Sequence, residues 1–302
     1  MKAVKSLPIQ ALAATLGMAL LFGTSFVASK VALGAFSPTQ VVFLRFAVAA
    51  LFFFHSQRFW TPKTLAPWQL KKVLLLALLE PGAYFVLESY GLKLTLASTA
   101  SVLIATIPLF VLLGEVLFLR LRVRPLDLAL ILASLVGVAM LLNAFGVSQA
   151  GTLQGNLLVL GAAVTASAYT LLARKVLASV DALSVTRWQA YFAAAFYGPF
   201  AGIAWGQEKN FPTSPEPWLA IAYLGLFCSF GAYFLLNYSL AHLRPSLVAA
   251  FSNLIPVVAT ALSVLLLGER LSLVQGVGAA LTVGAVAALT LRQREQPSLT
   301  PG

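Results

Sequence analysis

Glu80, Tyr84 and Glu88 are spaced four apart inside a stretch that is otherwise mostly apolar. On an α-helix, positions i, i+4 and i+8 share one face, so this spacing gathers two carboxylates and a phenol into a single stripe. Such a stripe can exchange protons, meet a polar substrate or accept hydrogen bonds. Glu80 also precedes Pro81, and the residue before a proline is biased away from helical backbone. A carboxylate at a broken helix is a candidate proton or substrate site. The plainer reading is a protonated Glu80 that hydrogen-bonds a neighbouring helix. Further along, Ser229, Tyr233 and Asn237 repeat the spacing with neutral polar groups. Asn253, one turn before Pro256, and Tyr169 and Phe26 within apolar runs complete the candidate substrate contacts, although aromatics in such runs serve packing more often than binding.

No catalytic constellation accompanies these residues. His55 and His242 are the two histidines, far apart in sequence. No HExxH, GxSxG, P-loop or GxGxxG pattern occurs in a plausible setting, and no metal-ligand spacing is present. The expectation is therefore no enzyme, no cofactor and no metal. The single Cys228 has no partner for an intrachain disulfide.

The elements that must position these groups follow from composition. Hydrophobic residues make up 60% of the 302 positions and charged residues 10%, against about 25% charged in soluble domains. So few charges cannot cover a surface in water, so lipid must cover much of it. A membrane-crossing helix needs about 20 mostly apolar residues. Runs of that kind lie near 9–32, 39–56, 70–91, 97–119, 126–146, 153–173, 185–206, 217–240, 246–267 and 272–291. The first follows Lys2 and Lys5 but is longer than the ~7–15 apolar residues of a signal peptide, so it reads as a retained helix. Turn chemistry separates the runs at Ser37-Pro38, Thr61-Pro62, Arg124-Pro125 and Arg244-Pro245.

The net charge of +11 does not form the one-sided basic footprint of a nucleic-acid binder. With a cytoplasmic N-terminus and alternating crossings, fourteen Lys and Arg fall in cytoplasmic segments, Arg120, Arg122, Arg124, Arg174 and Lys175 among them. Only Lys93, Lys209 and Arg270 fall outside. That bias follows the positive-inside rule and places both termini in the cytoplasm of a multi-pass protein of the cell (inner) membrane. Arg45 and Lys30 lie toward the outer ends of their runs and are expected to anchor at the interface.

The chain also repeats itself. Gly82-Ala83-Tyr84-Phe85 returns as Gly231-Ala232-Tyr233-Phe234, and Ile107-Pro108 returns as Ile255-Pro256. The copies are five runs apart. Five is odd, so the second copy enters the membrane inverted, a construction common among secondary transporters. The expected domains are repeats at 1–148 and 149–294 with a cytoplasmic tail at 295–302. Pro108 and Pro256 deprive the Ile104 and Ser252 carbonyls of helical partners, which makes each a structural kink or a hinge. Small residues recur every four positions at Ala129, Ala133 and Gly137, and at Gly276, Ala280, Gly284 and Ala288. They form ridges for close packing, either within a monomer or across a homodimer. Glu115 is expected to snorkel or to pair with Arg120 or Arg122.

Several short segments now align with a known group. Leu21-Phe22-Gly23-Thr24-Ser25-Phe26, Leu44-Arg45-Phe46, Ile255-Pro256 followed by Leu266-Leu267-Gly268-Glu269-Arg270, and the pair Val136-Gly137-Val138 and Val283-Gly284-Ala285 resemble the drug/metabolite transporter superfamily, in its EamA-like ten-helix family. One departure is Arg120-Leu121, which stands where the first copy should carry a Gly-Glu pair; Gly114-Glu115 falls earlier. The resemblance implies a basket of helices around a central cavity, with the fifth and tenth helices peripheral. It also implies export of small metabolites, amino acids among them. The combined expectation is an all-α integral membrane protein of ten transmembrane helices, built as two inverted five-helix repeats. Its partners are a small-molecule substrate, the bilayer and protons, with no nucleic acid. The competing readings are a membrane-embedded enzyme acting on lipid-linked substrates and a non-transporting accessory subunit.

Overall fold

A computed structural model describes residues 9–57, 63–95, 97–119, 124–142, 152–207, 212–267 and 272–294. Lys2, Lys5, Arg58, Arg120, Arg122, Lys209, Glu269, Arg270 and the tail at 295–302 lie outside them. The described residues are helical, without strands. The first two runs become α1 (Ile9–Leu33) and α2 (Pro38–Ser56). The third is split into α3 (Pro67–Ala77) and α4 (Tyr84–Leu94), and the fourth into α5 (Ala97–Ile104) and α6 (Ile107–Leu119). Then follow α7 (Pro125–Leu141), α8 (Leu153–Val176) and α9 (Ala182–Gln207). The eighth run holds α10 (Glu216–Tyr223) and α11 (Tyr233–His242), the ninth α12 (Pro245–Ser252) and α13 (Leu254–Leu267), and the tenth α14 (Leu273–Arg294). Prolines open α2, α3, α7 and α12, where a missing N–H leaves nothing unpaired.

Six helical stretches among the described residues are long and apolar enough to cross a membrane: Ile9–Leu33, Pro38–Ser56, Leu153–Val176, Glu216–His242, Pro245–Leu262 and Leu273–Arg292. Val102–Phe118 and Pro125–Leu141 are shorter apolar helices. The α3–α4 pair and α9 carry intervening polar residues, Glu80 and Glu88 in one and Arg187 and Gln189 in the other. Large apolar side chains cover the outside, Phe118 at 72% exposure and Leu219 at 67% among them. Lipid accepts such a surface and water does not.

The interruptions occur at corresponding places in the two sequence copies. A π-helical segment, Leu78–Ala83, joins α3 to α4, and another, Leu224–Ala232, joins α10 to α11. Each ends just before the tyrosine of the repeated Gly-Ala-Tyr-Phe. In the first, Glu80 leaves helical geometry altogether (φ −145°, ψ 118°). The carbonyls freed there meet α9: Gln189 donates to the Glu80 carbonyl at 2.8 Å, and the Tyr197 hydroxyl to that of Gly82 at 2.7 Å. Irregular backbone at membrane depth persists only when so satisfied. Pro108 and Pro256 do not bend continuous helices. The chain breaks just upstream, at Ala105–Thr106 and at Asn253, and each proline sits in the first turn of a new helix, where the lacking N–H is tolerated.

The core is threaded by fully buried Tyr169, Tyr233, Phe46 and Met18. Helix α2 packs on α9, α4 on α8, and α1 on α11 and α13, while α7 and α14 pack chiefly on each other. Their crossing point is Gly137 against Gly278: a Cβ on Gly278 would lie 2.6 Å from the Gly137 carbonyl. The expected ridge on α14 is not that contact. Around Gly276 and Gly284 a Cβ would meet nothing within 4 Å, so the ridge faces outward, because the α7 crossing uses the adjacent face. Glu115 also departs from expectation. It is fully buried, and it pairs with Arg244 at 3.0 Å and accepts the Ser246 N–H at 2.9 Å. Packing of α6 on α12 brings a cation from the other half of the chain closer than the solvent a snorkelling side chain would need.

Candidate functional site

The two polar stripes meet. The Tyr233 hydroxyl, from the start of α11, donates to Glu80 Oε1 at 3.1 Å. On the same stripe, the Tyr84 hydroxyl donates to Glu88 Oε1 at 2.9 Å. Both glutamates are half-buried, and each carboxylate accepts a hydrogen bond from a tyrosine. Below Tyr233, Asn237 is wholly buried and connects three helices. It accepts from the Tyr169 hydroxyl of α8 at 2.5 Å, and donates to Thr186 Oγ1 at 3.0 Å and Gln189 Oε1 at 2.9 Å on α9. Gln189 then closes the path to Glu80 through its backbone carbonyl. A buried polar network with its members paired is rigid and fixes orientation.

At the other end of the stripe, Ser229 accepts a hydrogen bond from Arg45 Nε at 2.7 Å. Each residue of the neutral stripe therefore has a partner on another helix: Ser229 with α2, Tyr233 with Glu80, and Asn237 with α8 and α9. Arg45 is no interface anchor; it is 6% exposed, with the Phe46 and Phe85 rings 5.8 and 5.6 Å from its guanidinium carbon. Phe46 and Phe22 in turn pack edge-on against Tyr233.

Of the residues singled out by sequence, Glu80, Tyr84, Glu88, Tyr169, Tyr233 and Asn237 come together. Asn253 joins a different contact: it donates to Ser134 Oγ of α7 at 2.9 Å, and its buried Oδ1 has no partner among the described residues. Phe26 lies in α1, its side chain outside the described set. Pro108 and Pro256 stand at the starts of α6 and α13. The sequence reading missed Thr186, Gln189, Tyr197 and Arg45. Thr186, Gln189 and Tyr197 share a helical face by spacing, so polar periodicity within an apolar run was the available signal. For Arg45, the signal was depth. Its position eight residues into α2 puts it about 10 Å along the helix, beyond easy reach of the interface.

A multi-pass bundle of apolar helices, holding a polar network between two broken helices, is a membrane protein organised around its interior. The chain matches the model of the EamA-like transporter family over residues 9–143 and 153–291, and it belongs to that family: it is a membrane transporter, not an enzyme. "Uncharacterized transporter YetK" of Bacillus subtilis (strain 168) is 28% identical over 217 residues, 70% of this chain and 65% of that protein, just under two thirds of the relative's length. A relative in Streptantibioticus cattleyicolor bearing the name "Probable terminal-alkyne amino-acid exporter" is 30% identical over 224 residues, 73% of this chain and 74% of that protein. A crystal structure at 23% identity matches the fold with a TM-score of 0.76, covering 94% of this chain and 97% of the other.

Proposed function

We propose that the protein is a secondary-active transporter that exports amino acids or similar small metabolites by alternating access. The observation that carries the reading is the Tyr233–Glu80 hydrogen bond. It joins the repeated segments of the two sequence copies at the place where both helices depart from α geometry. Such breaks are where transporters hold their cargo, because unwound backbone survives only around a polar interior. The architecture that goes with this function is ten crossings in two inverted repeats, 1–148 and 149–294, around a central cavity, with 295–302 a cytoplasmic tail. The order of contacts supports inversion. Glu80 meets Tyr233, while Glu88 lies within electrostatic reach of Arg45, which holds Ser229. The two stripes thus pair in opposite sequence order. Amino acids as cargo draw support from the name of the Streptantibioticus cattleyicolor relative and from the mixture of acidic, basic and aromatic groups at the site. Glu80, Tyr84, Glu88, Tyr233 and Asn237 contact substrate, with Phe26, Tyr169 and Asn253 lining its path. Glu80 carries the coupling proton, and Pro108 and Pro256 mark the hinges.

Purified protein in liposomes should exchange labelled amino acids across the bilayer without ATP. Absence of exchange across the twenty amino acids and a panel of small metabolites overturns the reading. Co-purification of a stoichiometric partner, with flux only in its presence, points instead to an accessory subunit.

A further inference from the structure

Arg45 is the least satisfied charge at the site. Its Nε is bonded to Ser229, and among the described residues neither terminal guanidinium nitrogen has a hydrogen-bond partner. The ion pairs there are Glu115–Arg244 and Asp127–Arg292, so no carboxylate closes on Arg45. Glu88 is within electrostatic reach but does not touch it. Guanidinium stays protonated in proteins. A permanent cation buried to 6% exposure with one neutral hydrogen bond is costly unless an anion completes it. Ser229 and the flanking Phe46 and Phe85 rings fix the plane of the group, leaving its planar fork pre-set for a carboxylate, which it matches bidentately. Glu88 is within electrostatic reach of both Arg45 and Glu80.

We propose that Arg45 anchors the carboxylate of a zwitterionic substrate whose ammonium group is held by Glu88 and Glu80. This deepens the amino-acid reading above and rests on it. The site then selects molecules carrying both charged groups on one carbon, and rejects an amine or an ester that lacks the carboxylate. Charge-assisted hydrogen bonds of this kind contribute about 10–100-fold in affinity.

The test compares each of the twenty labelled amino acids with its decarboxylated amine and its methyl ester, in proteoliposomes of the wild type, Arg45→Lys and Arg45→Gln. In the wild type, a transported amino acid should outrun its amine at least about tenfold. Arg45→Gln should slow the amino acid by a similar factor and leave the amine unchanged, so that discrimination collapses. Arg45→Lys, which keeps charge without the fork, should fall between. Discrimination that persists in Arg45→Gln overturns the anchor while leaving amino-acid transport intact. Wild-type transport of amines or esters with no amino acid moved overturns both readings. Should Arg45→Gln fail to insert, the wild type alone decides: competition by the methyl ester as strong as by the parent amino acid sinks the proposal.

Discussion

Tyr233 and Glu80 are 153 positions apart in sequence and 3.1 Å apart in space, and that contact sets what single substitutions should do. Glu80→Gln keeps the shape of the side chain and its acceptor for Tyr233 but cannot ionise. Exchange of substrate for substrate should continue, while the pH dependence of net flux disappears. Glu88→Gln, held by Tyr84 at the other end of the stripe, should alter that dependence less. A full wild-type pH profile in Glu80→Gln, read as uptake from pH 5 to 8, would remove Glu80 from the coupling role. Asn237 gives a stability prediction instead. Asn237→Leu keeps volume but strips a partner from Tyr169, Thr186 and Gln189. Buried groups left unpaired cost about 1–3 kcal/mol, so the thermal midpoint in detergent should fall clearly. An unchanged midpoint would mean that the network does not hold α8, α9 and α11 together.

Among the elements, the broken helices and the α7–α14 pair make opposite demands. At the start of α13, Pro256 sits where the first turn has no use for its N–H. Pro256→Ala should therefore insert and melt like the wild type, yet allow the break at Asn253 to close and so slow transport. Normal insertion with a wild-type rate would leave Pro256 only a helix opener. The α7–α14 crossing has no such slack, because Gly137 and Gly278 bring backbone against backbone. Backbone cannot yield as a side-chain tip can, and overpacking of this kind costs about 1–3 kcal/mol. Gly278→Val should lower the thermal midpoint, whereas Gly276→Val, on the open face, should not. Equal effects of the two would contradict the crossing. These breaks were half legible in sequence. Glu80-Pro81 announced one, but nothing in Leu224–Ala232 distinguishes a π-helical segment from ordinary helix, since it contains no proline.

For the whole molecule, the fourteen-to-three distribution of Lys and Arg predicts that both termini are cytoplasmic. An alkaline phosphatase fusion after Arg294 should be silent, and a cytoplasmically active reporter at the same point should work. Strong phosphatase activity would mean that the number of crossings is odd. The outward apolar surface and the open Gly276–Ala280–Gly284 ridge of α14 belong to this scale as well, since they face whatever surrounds the bundle.

Composition alone determined that the chain is a helical membrane protein, because 10% charged residues cannot clothe a bundle in water. The duplicated Gly-Ala-Tyr-Phe and Ile-Pro segments fixed where the polar stripes lie, since helical spacing is a local property that sequence carries in full. Which stripe faces which is not local. The pairings of Glu80 with Tyr233, Arg45 with Ser229 and Glu115 with Arg244 each join residues more than a hundred positions apart. They exist only because α2, α6, α11 and α12 pack where they do. Packing likewise decided that Asn253 turns to Ser134 and that α14 uses Gly278 rather than its more regular ridge, because a side chain's partner is set by the helix opposite and not by its own neighbours in sequence.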